Sequence, residues 1–137
     1  MAATDGATLT TKIRLAVEIC LVYVRVRRQV RTRPLPDLLE ELRAGVLEPQ
    51  GQSCRERLLA RQLGSVVYRH LPRLPGDTRC LTQALVLTAL LARRGIGSML
   101  VIAVAPATEF VAHAWVEQAG TPLLPTGGSD LGRLVTL

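Results

Sequence analysis

Lysine is almost missing from this chain. Lys12 is the only one, although lysine and arginine together number 17 among 137 residues. Aromatic side chains are as scarce: Tyr23, Tyr68, Phe110 and Trp115 are the whole set, so any core must be aliphatic. Cys20, Cys54 and Cys80 are the only cysteines. An odd, widely spaced set excludes a disulfide scaffold, and with no CxxC or Cys/His cluster it offers no metal site. Free thiols suit a reducing cytosol, so the cytoplasm is the expected location. Met1 is followed by polar residues rather than by a signal peptide. The longest apolar stretch, Ile13–Val26, is broken by Arg14, Glu18 and Arg25. It is too short and too charged to span a bilayer, and no membrane partner is expected. There is no internal repeat and no low-complexity tract.

Apolar residues make up 48% of the chain. That supports a core of useful size and argues against disorder. The length fits one domain with a small helical extension. The net charge of +6 is unevenly placed: residues 1–75 carry 13 basic and 7 acidic side chains, whereas residues 76–137 carry 4 and 4. The densest cluster is Arg25, Arg27, Arg28, Arg31 and Arg33. A basic half beside a neutral half suggests an anionic partner for the first half, either nucleic acid or an acidic peptide. The plainer reading is a solvated helix face in an arginine-favouring composition, which the near-absence of lysine supports.

Residues 1–8 read as a frayed terminus. A helix is predicted from Leu9–Thr11 to about Arg31. Ile13, Val17, Leu21 and Val24 form one stripe, and Leu15, Ile19, Val22 and Val26 a second, which predicts burial on two sides. Pro34 and Pro36 stop that helix. A short helix over Asp37–Ala44 ends at Gly45, and Val46–Gln52 reads as a loop. Ser53, with Glu56 at the capping-box position, opens a helix over Cys54–Leu71. Pro72, Pro75 and Gly76 mark a boundary. Beyond it, CLTQALVLTALLA predicts a helix from Cys80 to Arg93, apolar on nearly every face and so central, with Gly95 as its stop. Strands are predicted over Ser98–Ala105 and Phe110–Glu117, with a turn at Ala119–Gly120 into Thr121–Pro125. Pro122 argues for an edge position. A short final strand is predicted at Arg133–Leu137.

Cys80 falls at the start of the central helix, where unpaired N–H groups and the dipole favour negative charge on sulfur or on an oxyanion. Alone this is weak, because a cysteine near a helix start is more often a small buried hydrophobe. His113 strengthens it. The strand FVAHAWVE places Val111, His113, Trp115 and Glu117 on one face. A Cys-headed helix, one intervening strand and then a histidine strand can bring a thiol and a base together, the pairing nucleophilic catalysis needs.

RCLTQALVLTALLARRGIGSMLVIAVAP followed by FVAHAWVEQAGTPL resembles the transglutaminase-like peptidases of lasso-peptide biosynthesis. Cys80, His113 and Trp115 fall on the motif positions, and the match covers roughly 77–124. The short basic N-terminal part is similar to stand-alone protease subunits of that family, which lack a fused leader-recognition domain. The resemblance implies an α+β fold. A minimal transglutaminase/papain-like core, a Cys-headed helix plus a small antiparallel sheet, would occupy 76–137, with a helical basic region over 1–75. It implies a cysteine peptidase that removes the leader from a ribosomally made precursor. The expected partners are that leader peptide, a small leader-recognition protein and the lasso cyclase, rather than nucleic acid. No cofactor is expected, neither ATP nor a metal.

The family's triad aspartate, about a dozen residues after the histidine, has no counterpart here. A two-residue loop at Ala119–Gly120 pairs Gln118 with Thr121 and Glu117 with Pro122, which sets Ala114 opposite Pro125 and His113 opposite Thr126. Asp130 is chosen as the third catalytic residue, folded back by Gly127–Gly128, with the Thr126 hydroxyl as the alternative. Glu117 shares the histidine's face but lies about 13 Å along the strand. Trp115 is assigned to substrate binding, with core packing as the competing role. Arg27, Arg28 and Arg31 are assigned to docking the leader or its recognition protein. His70, Cys20 and Cys54 are given no role, while Asp77 and Thr78 read as helix caps. Two other readings stay open: a thioester acyltransferase of transglutaminase type, and a non-catalytic scaffold binding acidic peptides.

Overall fold

The computed structural model describes residues 2–44, 54–74, 80–105, 111–118, 120–125 and 132–136. In order these form α1 (Ala2–Thr32), α2 (Leu35–Leu42), α3 (Cys54–His70), a short 3₁₀ turn (Leu71–Arg73), α4 (Cys80–Ala92), β1 (Met99–Ala105), β2 (Val111–Gln118), β3 (Thr121–Pro122) and β4 (Gly132–Thr136). The fold is α+β: helices packed with a four-stranded antiparallel sheet of order β3-β2-β1-β4.

α4 is the hub. It has few polar side chains, and ten of its thirteen residues are buried. Leu85, Leu87, Leu90 and Leu91 are fully buried, each worth about 1.5–3 kcal/mol relative to exposure. Its one deeply buried hydroxyl is satisfied: Thr88 Oγ1 donates to Ala84 O at 2.9 Å. α1, α2, α3, β1 and β2 all pack on this helix, and their buried residues form one continuous core. The helix stops where the sequence predicts. Gly95 has φ +72°, and Gly95 N and Ile96 N donate to Ala92 O and Leu91 O at 3.0 and 2.9 Å. These are the paired bonds of a Schellman cap, closed by the buried Ile96.

α1 departs from expectation in two ways. It starts at Ala2 instead of after a frayed terminus, consistent with the high helix propensity of Ala2, Ala3 and Ala7. It is also buried on one side rather than two. Ile19, Val22, Tyr23 and Val26 enter the core, while Leu9, Ile13, Val17, Leu21 and Val24 are 45–66% exposed. One helix face is enough to cover α4, and no second layer lies outside it among the described residues. Glu18, at the edge between the stripes, ties α1 to the end of α4. It accepts from Arg94 Nη2 and Arg94 Nη1 at 2.9 and 3.1 Å and forms an ion pair with Arg93, Nε lying 3.1 Å from Oε1. α2 is held to α1 through Glu41, which pairs with Arg33 and with Arg25. It starts at Leu35 rather than Asp37, because Pro36 sits in the first turn, where no intrahelical N–H is required. None of the described helices is long and apolar enough to cross a membrane.

In the sheet, β1 is central, pairing with β2 and with β4. The hairpin register is the expected one, Glu117 opposite Pro122 and Gln118 opposite Thr121. Gly120 turns the chain with φ +79°. β3 is an edge strand of two residues rather than five, since Pro122 has no N–H for the ladder. The chain nonetheless stays beside β2: Leu123 N donates to Val116 O at 2.8 Å. The Val46–Gln52 loop and the Ser53, Asp77 and Thr78 caps lie outside the described residues.

Candidate active site

Cys80 is the first residue of α4 and is half-buried against the core. β2 lies against that helix and carries His113, also half-buried. Its register partner on β1 is the fully buried Ala103. A small residue beside the ring leaves it room. Trp115, two residues along the same face, sits with its ring centroid 6.0 Å from that of His113, tilted by 32°. Trp115 is buried, 5% exposed, and its indole Nε1 donates to Glu117 Oε1 at 3.0 Å. Glu117 is itself buried. The expected distance between Glu117 and His113 is thus bridged by an indole, which walls the imidazole from behind and anchors to the carboxylate.

The partner of His113 is a backbone group. Nε2 lies 2.7 Å from Pro125 O. A carbonyl only accepts, so in the neutral ring Nε2 carries the hydrogen and Nδ1 keeps its lone pair. The ring is thereby set in the tautomer that leaves Nδ1 free to take a proton. Register counting pointed within one residue of this group, to Pro125 opposite Ala114 and Thr126 opposite His113. It had no means of selecting a main-chain oxygen. Asp130 and Thr126 lie outside the described residues.

What holds Pro125 in place is the close approach of α3 to the segment after β3. A Cβ built on Gly64 would meet Leu123 O at 2.4 Å, so only glycine permits this packing. Among the described residues no hydrogen bond joins Cys80 to His113. The two side chains sit on elements that pack against each other. Cys20 and Cys54 are exposed. His70 is an exposed residue of the last turn of α3. Arg27, Arg28 and Arg31 lie in the last turns of α1 and make no ion pair among the described residues. The Arg43 guanidinium at the end of α2 is held below its ordinary value by partial burial.

A family model, that of the Transglutaminase-like superfamily, matches residues 20–135. The chain therefore belongs to that superfamily. The match starts inside α1 and ends in β4, so it takes in Cys80, His113 and the Pro125 segment together. The superfamily generally contains cysteine-protease-type enzymes, and membership points to cysteine protease or acyltransferase chemistry. No curated protein and no solved structure matches the chain.

Proposed function

We propose that this chain is a cysteine peptidase that removes the leader from a ribosomally made lasso-peptide precursor. The observation that carries the reading is the Nε2–H bond from His113 to Pro125 O, which poises Nδ1 as a base on a strand packed against a Cys-headed helix. The Cys80 thiol gives its proton to His113 Nδ1, and sulfur attacks the last carbonyl carbon of the leader. N–H groups in the first turn of α4 stabilise the oxyanion. As the C–N bond breaks, the imidazolium returns the proton to the departing amine of the core peptide. Water then attacks the thioester, His113 Nδ1 takes its proton, and the leader leaves as a carboxylate while the thiol is restored. Asp130 would act in the complex beside the Pro125 carbonyl rather than alone.

The exposed face of α1 supports a protein partner. Leu9, Ile13, Val17, Leu21 and Val24 run about 22 Å along it, at 1.5 Å per residue. Arg27, Arg28 and Arg31 follow Val24 by three, four and seven residues, continuing the same face. The complementary surface is an apolar helix or strand with acidic residues at one end, and the occupant we assign is the leader-recognition protein. Intact-mass measurement of a candidate precursor, with and without that protein, tests the function. Cleavage at one site is expected, lost in Cys80→Ala and in His113→Ala. Undiminished cleavage by Cys80→Ala rules the mechanism out. If an added amine is incorporated at the new carboxyl end, the acyltransferase reading replaces hydrolysis. For the partner, Arg27→Glu with Arg28→Glu and Arg31→Glu should weaken binding at least tenfold at low salt, and less at high salt. Unchanged binding at low salt refutes the docking assignment.

A further inference from the structure

Glu117 is a carboxylate placed where burial makes it costly. It is 6% exposed, and a buried carboxylate is kept only where hydrogen bonds compensate its lost hydration. One donor is the indole Nε1–H of Trp115, 3.0 Å from Oε1. Trp115 is itself 5% exposed, so its ring acts on what is packed around it. On its other side lies His113, with ring centroids 6.0 Å apart and planes tilted by 32°, a spacing within the range of interacting aromatic pairs. His113, Trp115 and Glu117, alternate residues of β2, thus form one continuous row from the imidazole to the carboxylate.

The row matters because one hydrogen bond does not fix an imidazole. The outer torsion of a histidine side chain is broad. The bond from Nε2 to Pro125 O tethers one corner of the ring and leaves the ring able to rock about it. Rocking moves Nδ1, the atom that must meet the thiol. A packed indole removes this freedom, provided that the indole is itself fixed. Its own outer torsion is equally broad, and Val101, its fully buried partner on β1, has an aliphatic side chain with no acceptor. The Glu117 oxygen selects one of the two indole flips. We propose that Glu117 is a positioning residue for the catalytic base: by anchoring the Trp115 indole it keeps the His113 ring from rocking on its Pro125 tether. The catalytic consequence rests on the peptidase reading above, whereas the restraint on the ring does not.

Trp115 is the sole tryptophan, so its indole N–H gives a single ¹H–¹⁵N signal in the labelled full chain. Three variants separate the causes. Glu117→Met is unbranched like glutamate but has no oxygen to accept the bond, Glu117→Gln still offers one, and Trp115→Phe keeps a ring but has no N–H. Imidazole ¹⁵N spectra are recorded for each, with the exposed His70 as internal reference, beside kcat and KM for precursor cleavage. Glu117→Met should move the indole signal and blur the fixed Nε2–H tautomer of His113, with kcat falling about tenfold or more and KM staying within about twofold. Glu117→Gln should rescue all three. Trp115→Phe should reproduce the blurred His113 spectrum, and it keeps the proposal open to refutation if Glu117→Met fails to fold. A parent-like His113 spectrum in Glu117→Met or in Trp115→Phe overturns the assignment, as does a Glu117→Gln protein as impaired as Glu117→Met. Blurred spectra with unchanged kcat overturn the catalytic consequence. A parent that cleaves no precursor counts against the peptidase reading alone, and the spectra still decide the restraint.

Discussion

Gly64→Ala sets two physical effects of opposite sign against each other. Gly64 is an interior residue of α3, and replacing an interior helical glycine with alanine ordinarily stabilises by about 0.5–1 kcal/mol. Here the added methyl would lie 2.4 Å from Leu123 O and 3.2 Å from Leu123 C. An ordinary carbon–oxygen approach needs roughly 0.8–1 Å more, by the van der Waals contact distances of packed interiors. The obstacle is backbone, so it cannot rotate away. Overpacking of this kind costs about 1–3 kcal/mol. The expected net result is a loss of about 0.5–2 kcal/mol, seen in urea or thermal unfolding. The second consequence is chemical. Displacing the 123–125 segment by most of an ångström would stretch the 2.7 Å contact from His113 Nε2 to Pro125 O toward 3.5 Å, beyond an effective hydrogen bond. Imidazole ¹⁵N spectra should then show His113 losing its fixed Nε2–H tautomer, and precursor cleavage should fall at least tenfold. A variant that is more stable than the parent, with an unchanged imidazole spectrum, would show that the α3–Leu123 contact does not govern the site.

Gly95→Ala forces a β-carbon into φ +72° and should cost about 1–2 kcal/mol, lowering the thermal midpoint by several degrees without altering cleavage. Glu18→Ala removes the shared partner of Arg93 and Arg94. A loss of about 1–2 kcal/mol is expected from a part-buried paired carboxylate, and equilibrium unfolding of Glu18→Ala beside Glu18→Gln would measure it; no loss in either would mean the pair adds nothing. Cys20→Ser and Cys54→Ser change exposed thiols and should leave both stability and precursor cleavage within error, in contrast to Cys80→Ala.

The strongest local patterns were legible in the residues alone. α4 is apolar on all sides, so no arrangement except a central one could bury it, and Gly95 marks its end because left-handed backbone favours glycine. The register of the β2–β3 hairpin followed from a two-residue turn, whereas the place of β4 beside β1 emerged only in the folded sheet. Cys80 at a helix start and His113 on a strand were both expected from the residues, and the family match over 20–135 spans both positions.

Other features were decided only by the chain's path in space. The two apolar stripes of α1 look equivalent in sequence, and which one faces α4 depends on the neighbours rather than on either stripe. The group that orients His113 is a main-chain oxygen, which every residue has and no side-chain pattern can flag. Its position depends on Gly64, 61 residues before Pro125, because the missing methyl matters only once α3 meets the segment after β3.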